Sequence, residues 1–187
     1  KNEVGEFIYK RTYSRWIETE KRREEWPETV ERYINFIEQE VKNIPDKTVR
    51  KMRQYMLEFT VVPSMRMLWA AGPAANRDNT CVYNCAFAKI NCVEAFAECL
   101  HILMCGTGFG FSVRKEDVEQ LPGIPVIQSA KGHTHLIEDT REGWADSVKI
   151  LMNSLYGGKN IKFDYSLLRE EGARLITMGG RSSGPAP

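Results

Sequence analysis

Two helix-length segments, at about 93–104 and 139–156, each stand between short runs with strand character, and this alternation constrains the fold more than any other feature. The flanking runs are 82–90, 108–113, 161–165 and 174–178. Strands separated by helices of this length must pair parallel, because a crossover helix returns the chain to the same edge of the sheet. The expected class is therefore α/β. Phe96, Leu100 and Leu103 share one face of the first helix, and Trp144, Val148, Leu151 and Leu155 share one face of the second. Asn91, with Glu94 three residues on, reads as a capping box, and Asp139-Thr140-Arg141-Glu142 as a second helix start. Cys105-Gly106 and Gly157-Gly158 end the two helices. Between them, 114–138 is less regular and carries Pro122, Gly123, Pro125, His133 and His135.

The first 59 residues follow a different pattern. Residues 11–25 alternate charges with Tyr13 and Trp16 and read as polar helix. Pro27 suits the first turn of another, in which Val30, Tyr33, Ile34 and Ile37 form an apolar stripe. Residues 48–59 repeat the pattern with Val49, Met52, Tyr55, Met56 and Phe59. The expected division is a helical region, 1–59, followed by an α/β part, 60–187. Hydrophobic residues at 42% and charged residues at 27% suit a folded chain. A net charge of +1 provides no bulk attraction to nucleic acid or to a membrane surface. No apolar run approaches the ~20 residues that span a bilayer, and the first residues lack a secretory core. The expectations are a cytoplasmic protein with no membrane and no nucleic-acid partner. Residues 179–187 are loop chemistry, so further chain is expected beyond Pro187.

Cys81, Cys85, Cys92, Cys99 and Cys105 lie within 25 positions. The number is odd and the spacings are irregular, which argues against a disulfide framework and against zinc; no metal site is expected. Most would be small buried apolar residues. Gly106, Gly108 and Gly110 alternate as the chain enters a strand, removing side-chain bulk where a ligand could meet backbone. They follow a helix rather than a strand, so they are not a dinucleotide fingerprint.

Six segments occur in order: Tyr9-Lys10-Arg11-Thr12-Tyr13-Ser14-Arg15-Trp16; Pro63-Ser64-Met65-Arg66-Met67-Leu68-Trp69; Tyr83-Asn84-Cys85; Gly106-Thr107-Gly108-Phe109-Gly110-Phe111-Ser112-Val113; Asp139-Thr140-Arg141-Glu142-Gly143-Trp144; and Gly179-Gly180-Arg181-Ser182-Ser183-Gly184-Pro185. This series resembles the N-terminal half of adenosylcobalamin-dependent (class II) ribonucleotide reductases, especially the triphosphate-reducing type. The resemblance implies a helical region followed by the first half of a ten-stranded α/β barrel. It also implies conversion of ribonucleoside tri- or diphosphates to 2′-deoxyribonucleotides by thiyl-radical chemistry. Cys85 matches the first of two floor cysteines that reduce the ribose and become a disulfide. Val62, Ser64, Asn84, Cys85, Thr107 and Gly108 match substrate contacts, with Val62 standing where the family often has threonine. Arg114, Asp139, Gly180, Arg181 and Ser182 fall in the loops, about 114–139 and 179–185, that carry deoxynucleotide effector identity to the substrate site. The radical-bearing cysteine, the second floor cysteine and the tail cysteines that exchange with a thioredoxin-type reductant are implied to lie in a C-terminal half, which would also hold most of the adenosylcobalamin. Two other readings of the same residues are a metal-dependent class I large subunit and a non-catalytic nucleotide-binding fragment.

Overall fold

In a computed structural model describing residues 2–127 and 132–185, the chain forms two units. The first comprises Lys1–Val82 with Ile176–Gly179, and the second Tyr83–Leu175 with Gly180–Pro187.

The first unit is mainly helical: α1 (Glu3–Thr12), a small antiparallel hairpin of β1 (Trp16–Ile17) and β2 (Arg22–Arg23), α2 (Trp26–Glu40), α3 (Asp46–Leu57), α4 (Met65–Ala70) and α5 (Pro73–Arg77), then a 3₁₀ turn at Asn79–Val82. The apolar stripes of α2 and α3 meet as their spacing requires. Val30, Ile34, Val49, Met56 and Leu68 form the core, with Tyr13, Trp26, Tyr33, Ile44 and Met52 packed on it. Phe59 instead lies exposed, stacked on Trp26 with ring centroids 4.5 Å apart.

Residues 11–25 are not one helix. α1 ends at Thr12 and the chain turns back through the hairpin. This stretch has no apolar face to bury as a helix, whereas folding back buries one strong polar contact. The Glu24 carboxylate, 6% exposed, accepts from Arg15 N, Thr29 Oγ1, and Arg32 Nε and Nη2 at 2.8–3.1 Å. Arg32 also donates to Ala71 O and Leu68 O, the carbonyls that end α4. Burial raises the Glu24 pKa, but the Arg32 bonds and charge, with the Arg15 N–H and the Thr29 hydroxyl, outweigh it and hold the carboxyl below its ordinary value.

The second unit is α/β. In chain order it contains β3 (Cys85–Lys89), α6 (Glu94–Met104), β4 (Gly108–Ser112), the short α7 (Lys115–Val118), β5 (His133–Leu136), α8 (Arg141–Tyr156) and β6 (Ile161–Asp164). β3 pairs parallel with β4 across α6, and β5 pairs parallel with β6 across α8, as helix-length crossovers demand. Thr140 caps α8 by accepting from Gly143 N at 2.8 Å, as expected. Asn91 does not cap α6: that helix starts at Glu94 after Val93, and the Asn91 amide reaches Gln120 instead. Nor do residues 174–178 form a strand. Gly179 and Gly180 both adopt positive φ, +78° and +95°, and reverse the chain so tightly that only an isolated bridge, Arg174 to Arg181, forms. β5 was hidden in the irregular stretch, because His-Thr-His has no apolar alternation and its order comes from the β6 ladder. No helix among the described residues is long and apolar enough to cross a membrane.

Candidate functional site

β3 and β4 align Cys85 with Gly108 and Phe87 with Gly110. In a pleated pair, opposed residues point to the same face. Cys85, Phe87, Gly108 and Gly110 are all exposed, whereas on the other face Ala86, Ala88 and Phe109 are partly covered and Phe111 alone is exposed. One face of this two-stranded sheet is therefore open, and its thiol stands opposite a residue with no side chain. Gly108 N donates to Asn84 O at 2.9 Å, and the buried Thr107 hydroxyl donates to Tyr83 O at 2.9 Å. Asn84, Cys85, Thr107 and Gly108 are thus brought together on two adjacent backbones. Gly106, with φ +80°, ends α6 and turns the chain into β4.

The same ends are braced from below and beyond. Cys105, fully buried, accepts from Arg141 Nη1 at 2.9 Å, linking the end of α6 to the start of α8. At the far end of the strands, the buried Asp117 accepts from Ser112 Oγ at 2.7 Å and lies 3.6 Å from Lys89 Nζ. Of the other cysteines, Cys81 is buried, Cys92 exposed and Cys99 intermediate; burial pushes the Cys99 thiol up.

Val62 and Ser64 belong to the first unit. Val62 is exposed and lines a cavity of about 670 Å³ with Tyr9, Trp26 and Phe59. Ser64 is exposed and caps α4, accepting from Met67 N at 3.3 Å.

The remaining candidates are spread over the second unit. Arg114 is exposed and precedes α7. Asp139 is held by Arg169, whose Nε donates to Oδ2 at 2.7 Å and whose Nη2 donates to the Asp139 carbonyl at 3.2 Å. Arg181 Nη1 donates to Gly172 O at 2.8 Å, Ser182 N to Ala173 O at 2.7 Å, and Leu175 N to Gly180 O at 3.0 Å. Gly180, Arg181 and Ser182 therefore lie in one compact loop. Part of the first expected effector stretch, 128–131, lies outside the described residues. Neither Arg169, which holds Asp139, nor Arg141, which holds Cys105, stands among the candidate site residues, since an isolated arginine has no periodicity to betray its partner.

Residues 1–73 match the family model described as the ribonucleotide reductase alpha domain. The chain is 30% identical, over its whole length, to an adenosylcobalamin-dependent ribonucleoside-triphosphate reductase of Euglena gracilis, covering 28% of that protein. It is 29% identical to a probable enzyme of the same name from Dictyostelium discoideum, with 98% of this chain and 29% of that protein covered. A crystal structure of a B-12 dependent (class II) ribonucleotide reductase superposes with a TM-score of 0.79 at 25% identity, over 97% of this chain and 35% of the other. The chain spans about a third of the length of these proteins.

Proposed function

We propose, for a chain that belongs to the ribonucleotide reductase family and matches the N-terminal part of its adenosylcobalamin-dependent members, that it provides one of the two reducing thiols and part of the nucleotide surface of a ribonucleoside-triphosphate reductase. The observation that carries this is the exposed Cys85 thiol opposite Gly108 on an open sheet face. A ribose lying on that face meets backbone at Gly108 and sulfur at Cys85. In the overall reaction two thiols lose two electrons and two protons and become bonded through sulfur, while the C2′–OH bond breaks, a C2′–H bond forms in its place, and the hydroxyl leaves as water. Cys85 supplies one thiol, and the C-terminal half of the enzyme supplies the other. That half also supplies the radical cysteine and the tail cysteines that restore the pair from a thioredoxin-type reductant.

Asn84 and Thr107 set the spacing of the two strands beneath the sugar, and Ser64, at a helix start, is suited to a phosphate oxygen. The two-part plan of a helical region, 1–59, and a first half-barrel, 60–187, belongs to the same reading, as does a cytoplasmic location. Arg114, Asp139, Gly180, Arg181 and Ser182 are proposed to meet the deoxynucleotide effector. Adenosylcobalamin supplies the radical that starts the reaction when bound. Two cavities of the first unit, of about 580 and 670 Å³, suit drug-sized molecules rather than a corrin with its nucleotide tail, so no residue of this chain is assigned to it.

The test is Cys85→Ser in the complete enzyme, supplied with adenosylcobalamin and a dithiol. Multiple-turnover formation of deoxynucleotide should fall by at least about a thousandfold, the scale of losing an essential reacting group. Turnover at the parent rate removes Cys85 from the reaction.

A further inference from the structure

Arg15 lies in the segment from Tyr9 to Trp16, and nothing in the proposed reaction uses it. Within the first unit its guanidinium reaches the piece Ile176–Gly179: Nη1 donates to Met178 O at 2.8 Å, and Nη2 donates to Thr177 O. The guanidinium carbon also stands 5.6 Å from the centroid of the Trp69 ring. A Cβ on Gly179 would come within 3.3 Å of Nη1, so the loop is drawn close to the arginine. The next two residues, Gly179 and Gly180, have positive φ and, being glycines, the loosest backbone of any residue type. A two-pronged, charged donor therefore grips two successive carbonyls immediately before a turn that would otherwise be poorly determined. Lysine, a single point charge, cannot hold both carbonyls in that fork.

We propose that Arg15 is the positioning residue of the 177–182 loop, fixing its entry carbonyls and hence the direction in which Arg181 and Ser182 leave the Gly179-Gly180 turn. Its consequence for specificity rests on the reading of Gly180, Arg181 and Ser182 as effector contacts. An effector that rearranges this turn works against the Arg15 bonds, so Arg15 sets how strongly effector identity reaches substrate choice.

The loop itself reports on the clamp. Leu175 N and Ser182 N are held by Gly180 O and Ala173 O, so their exchange with solvent measures loop opening. Amide hydrogen exchange on this chain should show both about tenfold faster in Arg15→Gln, the loss expected for hydrogen bonds to a charged group. Arg15→Lys, which keeps the charge and stem if the glutamine variant fails to fold, should be intermediate. Amides of 30–36 in α2 should be unaffected in either variant. Unaltered exchange at Leu175 and Ser182 in a folded variant overturns the clamp. In the complete reductase carrying Arg15→Lys, the ratio of substrates reduced under each deoxynucleoside triphosphate effector should flatten by about fivefold or more. Faster exchange together with a parental effector response leaves the clamp standing and removes the effector role of the loop.

Discussion

Gly108 and Cys85 face one another across β3 and β4, one contributing a thiol and the other contributing bare backbone. Their difference can be tested at a single position. A Cβ on Gly108 would meet only Asn84 O, at 3.4 Å, and the residue does not need positive φ. Gly108→Ala should therefore leave stability within about 1 kcal/mol of the parent, since alanine costs an extended strand less entropy than glycine. The methyl group would still stand where the ribose is proposed to lie. In the complete enzyme KM for the nucleotide should rise about tenfold, read alongside urea unfolding of the same variant; an unchanged KM separates the open face from substrate binding. Sequence could point to Cys85 through a resemblance, but it could not by itself rank the five cysteines. Cys85 and Cys105 sit in similar apolar surroundings along the chain, yet one is exposed on a strand and the other is buried against Arg141. Register and a distant arginine decide that difference, and neither has a local signature.

The helices and strands were read from sequence where an apolar period existed. α2, α3, α6 and α8 have such a period, as do β3, β4 and β6, and the parallel pairing of β3 with β4 follows from crossover length, whereas β6 pairs with β5, a strand the sequence did not offer. The failures share a cause: the β1–β2 hairpin is ordered by the Glu24 and Arg32 contacts, β5 by its partner ladder, and 174–178 by two positive-φ glycines. In the first two cases hydrogen bonds to distant parts of the chain overrode a weak local pattern, and in the third a glycine turn did. Two helical glycines give a test at this scale. A Cβ on Gly143 would lie 2.5 Å from Glu138 O, whereas one on Gly5 of α1 would meet nothing closer than 4.0 Å. Gly143→Ala should destabilise by about 1–3 kcal/mol, as overpacking does. Gly5→Ala should stabilise by about 0.5–1 kcal/mol through helix propensity. Urea midpoints of the two variants moving in the same direction would sink this account of α8.

At the scale of the whole molecule, the most deeply buried ion pair among the described residues is Glu24–Arg32 of the first unit, with exposures of 8% and 12% for the two side chains. Its carboxyl pKa is depressed in the folded state, so its stabilisation is complete above the unfolded value of about 4.3 and is lost as pH falls below it. Acidification from about pH 6 to pH 3 should therefore weaken the helical unit, followed by circular dichroism in urea. Arg32→Met should cost about 3–5 kcal/mol at neutral pH, because it strands a buried carboxylate, and should flatten or reverse the acid slope. A parental slope in that variant would assign acid sensitivity elsewhere. In the second unit, the pairing of β3 with β4 has a different consequence. Side chains alternate along a strand, so a slip of one residue would turn Cys85 toward the covered side and present Ala86 in its place. A molecule that had built all its helices but mispaired those two strands would look native by helix content, yet Cys85 would stop reacting with thiol reagents while the exposed Cys92 still did. Alkylation of this one sulfur thus works as a proofreading assay for a single hydrogen-bond ladder.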